Sequence, residues 1–344
     1  GKLALMGLVG GAPAILGAWI GGYTPSPFLT GLFLAIGAGA IFQVIYEIAN
    51  EPYNNGVDAK AVDEWHRHMA AVIVREERAL GVKHLVAANE AVHDDPNVSM
   101  LNWHYVANLN RLEEEHALGK PIALDETNGS LIHASADDVR VEAWEWICGG
   151  GACYNNLSWD FTPEDPSGKA GGALRGQLKV LWDFASALNL VGMRPAPEVI
   201  SGPPAEGAFA RVLAEAGEVW WVYLHHSKHR KYGEFITGYE AQGGTHRESL
   251  EIAIPPGAYR VRWIRPRDGA SLREGEVRHD GKKLRLESPE YEGADITLVI
   301  RSAPKSSDRS AKGLLRAHPG NSRYFTDGPT AVVSHGSKPI FAAG

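Results

Sequence analysis

Charge of either sign is absent from residues 3–46 of this chain, a stretch that no ordinary solvated surface segment resembles. Within it, residues 3–20 and 28–44 are apolar runs of roughly 17 to 18 residues, the lower limit for crossing a bilayer. The turn-rich Gly21-Gly22-Tyr23-Thr24-Pro25-Ser26-Pro27 separates them. The pair is rich in Gly and Ala and predicts a helical hairpin, either inserted in a membrane or buried in a soluble fold. Two runs exclude a signal peptide, which has one short apolar core and a cleavage site. Cysteine is nearly absent, with only Cys148 and Cys153. They support no disulfide framework and either pair in an oxidising compartment or stay buried as free thiols. No basic run occurs, and a net charge of −7 argues against a nucleic-acid surface.

What is present is aromatic: ten tryptophans and eleven tyrosines in 344 residues, a length sufficient for two domains. Such side chains build cores and also offer flat apolar faces to sugars.

The strand-like residues from Val44 to Ile48 run into Asn50-Glu51-Pro52. Pro52 lacks a backbone N–H and biases Glu51 away from helical geometry, so this glutamate sits where a strand becomes a loop. Residues 58–80 follow as a helix with Val62, Trp65, Met69, Val72 and Ile73 on its apolar face and Gly81 as its stop. Short apolar runs at 84–88, 100–105, 122–126 and 152–157 read as four further strands after 44–49. Helices are expected at 108–118, at 136–148 behind a Ser135–Asp138 capping-box variant, and at 172–190. Strand–helix alternation with short links predicts a parallel sheet covered by helices.

Past Arg194-Pro195-Ala196-Pro197 the texture changes. Short strands at 209–213, 219–224, 234–237, 250–254, 259–264, 283–286 and 296–300, broken by Gly and Pro, predict an antiparallel sandwich. Residues 305–312 are a polar linker.

Asn50-Glu51-Pro52 at a strand end resembles the acid/base strand, the fourth, of the cellulase-like (clan A) retaining glycoside hydrolases. The five strands then correspond to four to eight of a (β/α)8 barrel, and the resemblance implies a partial TIM barrel with a C-terminal β-domain. It implies hydrolysis of a β-linked oligo- or polysaccharide by double displacement, with no metal or organic cofactor. Glu51 matches the family's acid/base and Asn50 its 2-hydroxyl ligand. Glu126, closing Ile122–Glu126, matches the nucleophile on strand seven. His104 and Tyr105 match the position on strand six that contacts sugar and nucleophile, and Trp159 the platform beneath the reacting sugar. Asn155 and Asn156 are further hydroxyl donors. Strand alternation turns Asp125 to the side opposite Glu126, and Glu47 inward toward a buried Arg or Lys. His225, His226 and His229 read as surface residues and not as a metal site.

Residues 255–269 (PPGAYRVRWIRPRDG) resemble small β-domains that follow glycosidase barrels. Residues 11–48 are similar to a late segment of ZIP-type metal transporters, without the His and Asp of a metal path. Residues 314–328 (LLRAHPGNSRYFTDG) resemble the segment that opens the family's catalytic domain ahead of strand one, yet here they follow the sandwich. This order implies a composite chain with four parts: 1–43, 44–195, 196–303 and 304–344. In it strands one to three are missing, the C-terminal residues cannot supply them, and hydrolysis is impaired. The expected partner is a carbohydrate, without nucleic acid, with membrane contact through residues 3–43 and an extracytoplasmic or membrane-associated location. A non-catalytic carbohydrate-binding or structural remnant, and a membrane-tethered sugar-active protein, remain open beside the enzyme.

Overall fold

The computed structural model describes residues 45–106, 112, 115–127, 134–157, 171–201, 207–232, 235–281 and 283–302. It also describes the backbone of four short strands between 316 and 335. The apolar hairpin, most of the 108–118 helix, Trp159 and the polar linker lie outside the described residues. No helix among the described residues is long and apolar enough to cross a membrane.

Five parallel strands follow in chain order: β1 (Ile45–Glu47), β2 (Leu85–Asn89), β3 (Met100–His104), β4 (Ile122–Glu126) and β5 (Cys153–Tyr154). This is the expected α/β arrangement of a partial barrel. The chain divides after Asn102 into two compact units.

In the first unit, β1 pairs with β2 (Tyr46 opposite Val86) and β2 with the start of β3 (Ala88 opposite Leu101), both parallel. Helix α1 (Ala59–Leu80) connects β1 to β2. The Asp58 side chain accepts from the Ala61 amide, and Gly81 closes the helix in the left-handed region (φ 69). A cap of this kind stabilises by about 1 kcal/mol. The buried face is Val62, His66, Ala70 and Glu77, whereas Trp65 is 47% exposed. Of the expected face Val62 is buried and Met69, Val72 and Ile73 are half-buried, so Trp65 alone departs from it, and His66, Ala70 and Glu77 join the buried side. Its polar members are tolerated because they find partners: Glu77 Oε1 accepts from the His84 amide at 2.9 Å, and His66 Nδ1 lies 2.8 Å from the Val62 carbonyl.

In the second unit, β4 and β5 pair in parallel (Leu124 opposite Tyr154). Helix α2 (Ala136–Cys148) opens with a complete capping box between Ser135 and Asp138. Helix α3 (Gly172–Ser186) buries Leu174, Leu178, Leu181 and Ala185. The pattern of α2 looks half polar, yet Arg140, Glu142 and Glu145 are all buried. Arg140 meets Asp295 of the β-domain and Glu145 meets its Arg211 and His225, whereas Glu142 accepts from the Tyr154 hydroxyl of β5.

That domain is antiparallel. Its main sheet contains β6 (Arg194–Pro195), β7 (Ala208–Glu215), β8 (Val219–Tyr232) and β9 (Phe235–Ala241). After the short β10 (Thr245–His246) and β11 (Ser249–Ile252), β12 (Gly257–Ile264) and β13 (Ser271–His279) return to it. Next come β14 (Leu284–Glu287) and β15 (Tyr291–Glu292), and β16 (Asp295–Arg301) inserts between β12 and β8. The ladder of β11 and β14 packs Leu250, Ile252, Leu284 and Leu286 against Val222, Leu224, Trp263 and Ile300 of the large sheet. The two-layer core was expected. The two-residue strands β6, β10 and β15 were not expected, nor was the nine-residue β13, which has no apolar alternation because it is a charged edge.

Two expectations are corrected here. Strand β8 does not end at Leu224 but continues to Tyr232, so His225 is fully buried against α2 and is not a surface residue. His226 is also largely covered, with Nε2 2.8 Å from Glu248 Oε1. The second correction concerns the C-terminal segment. After β17 (Arg316–His318), β18 (Asn321–Thr326) and β19 (Ala331–Val332), strand β20 (Ser334–His335) pairs in parallel with β5, Ser334 opposite Cys153. The segment therefore does supply a strand. It lies beside the strand numbered eight, where strand one of a closed barrel belongs.

Candidate active site

Two sets of side chains gather at the C-terminal ends of the parallel strands, one in each unit. In the first unit β1 stops at Glu47, earlier than expected, and Ile48 still donates to the Ala87 carbonyl at 3.1 Å. The chain then turns through Asn50 and Glu51 into a single 3-10 turn, Pro52–Asn55. Glu51 has φ 42 and ψ 56, a left-handed conformation that a non-glycine residue adopts at a cost. Its amide donates to Asn89 Oδ1 at 2.7 Å, and its Oε2 accepts from Asn54 Nδ2 at 2.8 Å. Asn50 is exposed.

Asn89 and Asn102 close the apolar runs of β2 and β3 and are both buried. Asn102 Nδ2 donates to Glu47 Oε1 at 2.9 Å, so Glu47 is exposed and held by an amide where a buried Arg or Lys was expected. Beside this turn, the Tyr53 hydroxyl donates to Asp63 at 2.6 Å. Burial and that bond push the phenol up to about 12 and keep it a donor.

In the second unit Glu126 ends β4, half-buried. The Tyr105 hydroxyl donates to Glu126 Oε1 at 3.2 Å, and His104 Nδ1 lies 3.7 Å from Glu126 Oε2. His104 is almost fully buried, with its other nitrogen, Nε2, 3.2 Å from Asp125 Oδ1. Asp125 thus does not turn away from this cluster; a single imidazole stands between two consecutive carboxylates. Tyr105 also has a left-handed backbone (φ 50). Asn155 Nδ2 donates to the Asp125 carbonyl at 2.9 Å and ties β4 to the end of β5, while Asn156 is buried.

The structure therefore brings Glu126, His104 and Tyr105 together, and places Asn50 and Glu51 on the strand-end turn of the other unit. Asn89, Asn102, Asn54 and Asp125 were not among the expected site residues. The legible signal for the first two was an asparagine inside or at the end of an otherwise apolar strand, where an amide must find a partner.

No family model matches the chain, and no curated protein does. Solved structures similar in backbone include one described as a glycoside hydrolase (16% identity, TM-score 0.44, covering 65% of this chain and 58% of that one). A glycoside hydrolase family 5 protein from Bacteroides vulgatus matches at 14% identity with a TM-score of 0.46, over 66% of this chain and 58% of that chain. A family 44 xyloglucanase from Paenibacillus polymyxa matches at 8% identity with a TM-score of 0.40, over 80% and 60%. The chain thus spans 58% of the length of the first two.

Proposed function

We propose that the protein is a retaining β-glycosidase in which Glu126 attacks the anomeric carbon and Glu51 protonates the departing oxygen. Retention needs two carboxyls about 5 to 5.5 Å apart, one an acid and one a nucleophile. The observation that carries this reading is Glu126 at the end of a buried parallel strand, its carboxylate receiving the Tyr105 hydroxyl. Tyr105 and His104 orient the nucleophile, the first by its hydroxyl and the second by an imidazole 3.7 Å from the other oxygen. Glu51 sits on a strained turn at another strand end, with Asn54 on one oxygen and Asn50 beside it for the sugar 2-hydroxyl. Backbone strain of this kind concentrates at functional sites. Trp159 is the platform on which the sugar ring stacks.

In the first step the Glu126 carboxylate forms a bond to C1 as the C1–O bond to the leaving group breaks, and Glu51 gives its proton to that oxygen. In the second, Glu51 takes a proton from water, which displaces Glu126 with a second inversion. The test is hydrolysis of aryl β-glycosides followed by NMR of the first-formed hemiacetal. A β-anomer that vanishes in Glu126→Gln supports the reading; an α-anomer, or no difference between the two chains, overturns it.

A further inference from the structure

We propose that Asn89, at the end of β2, is the positioning residue for Glu51: it holds the glutamate in its left-handed turn and so aims the carboxyl. The aim matters to catalysis only if Glu51 is the acid, so this inference rests on the glycosidase reading above.

Strand β1 pairs with β2 as far as Glu47 opposite Ala87, and the Ile48 amide continues the ladder to the Ala87 carbonyl at 3.1 Å. Beyond that point a side chain takes over from the backbone: the Glu51 amide donates to Asn89 Oδ1 at 2.7 Å. An N–H that leaves a sheet needs an acceptor, and an asparagine oxygen supplies one where no backbone carbonyl is in place.

The acceptor is rigid because Asn89 is itself immobilised. It is fully buried, closes a run of five buried residues in β2, and sits opposite Asn102 of β3 in the parallel register. Its Nδ2 donates to the Asn102 carbonyl at 3.4 Å, and the Glu90 amide donates to the same carbonyl at 2.9 Å. Asn102 in turn donates from Nδ2 to Glu47 Oε1 at 2.9 Å. Register and alternation put Glu47, Ala87, Asn89 and Asn102 on one face of the sheet. The two buried amides therefore hold the chain on both sides of the point where β1 becomes a turn.

Asn54, by contrast, bonds to Glu51 from within the turn: its amide donates to the Glu51 carbonyl at 3.1 Å and its Nδ2 to Oε2 at 2.8 Å. Those bonds shape the turn, and the Asn89 bond ties it to the sheet. With the Glu51 amide fixed and φ at 42, the direction in which the side chain leaves the backbone is set. A displacement near 1 Å in such a group costs about a hundredfold in rate.

Asn89→Ala removes the acceptor. Hydrolysis of an alkyl β-glycoside should then fall about a hundredfold. The burst of dinitrophenolate from a dinitrophenyl β-glycoside, whose leaving group needs no proton, should keep most of its rate. The same pattern is expected in Asn89→Leu, which fills the volume and serves where Asn89→Ala does not fold. Asn89→Asp, which keeps an oxygen in place, should recover part of the alkyl-glycoside rate. Asn102→Ala is the control for loss of a buried amide as such; it leaves the Glu51 amide bond intact and should lower both rates together. Equal losses on the two substrates in Asn89→Ala and Asn89→Leu, or none, would overturn the role. A crystal structure of either variant gives a readout without turnover: Glu51 should leave the left-handed region, and Glu51 still near φ 42 would also overturn it. If the unmodified chain hydrolyses neither glycoside, the glycosidase reading falls, and that structure alone decides whether Asn89 holds the turn.

Discussion

Tyr105 is joined to Glu126 twice: its amide donates to the Glu126 carbonyl at 3.0 Å and its hydroxyl to Glu126 Oε1 at 3.2 Å. The first bond fixes where the tyrosine leaves the end of β3, and the left-handed backbone (φ 50) follows from meeting both constraints. Tyr105→Phe should therefore keep the fold and lower kcat for aryl β-glycosides by roughly tenfold to a hundredfold, the worth of a hydrogen bond to a charged group. Glu126→Gln should lower it by several orders of magnitude. Equal rates in Tyr105→Phe and the unmodified chain would sink the orienting role.

Glu51→Ala should affect substrates unequally, because the acid is needed only where the leaving group is poor. Dinitrophenyl glycosides should retain most of their first-step rate, whereas alkyl glycosides should lose almost all of it. A uniform loss across leaving groups would assign Glu51 to binding or to the turn.

Arg140 and Asp295 form a fully buried pair, with Nε and Nη2 both donating to the Asp295 carboxylate and Tyr223 donating to it at 3.0 Å. The pair joins α2 to β16. Arg140→Met should destabilise by about 3–5 kcal/mol, because a buried carboxylate is left without its cation. Adding Asp295→Leu should recover much of the loss in melting temperature. A double variant as unstable as the single one would show that the packing of α2, not the charge, dominates.

Glu145, fully buried on α2, has its pKa raised by burial but lowered more by His225 and Arg211, so the net shift is downward. Glu248 has the same net direction, through His226 and Tyr291. A carboxylate with a depressed folded pKa adds stability above its unfolded value, about 4.3, and loses it as the pH falls through the folded value. Melting temperature should therefore drop on acidification below about pH 4.3. In Glu145→Gln, that acid limb should be shallower. An identical limb in both chains would exclude Glu145 as its source.

Cys148 and Cys153 are free and buried, and burial pushes the Cys148 thiol well up. A thiol kept protonated and covered does not react. The native chain should be silent to a thiol reagent, and the denatured chain should titrate two thiols without prior reduction. Rapid labelling of the native chain would contradict the burial of both.

The local content of the fold was legible in the sequence. Asp58 and Gly81 bracket a helix, Ser135 and Asp138 open another, and Ile122–Glu126 reads as a buried strand ending on a glutamate, because caps and apolar periodicity act over a few residues. Tertiary structure decided what depends on partners distant in sequence. His225 lies in a polar run that looks exposed, yet Glu145, eighty positions earlier, draws it into the core. Asp125 alternates away from Glu126 along the strand, yet the His104 imidazole from the neighbouring strand reaches both. Ser334–His335 carries no strand signal of its own, and is a strand only through its parallel pairing with β5. Each of these outcomes follows from burial and hydrogen bonding between segments that only folding brings together.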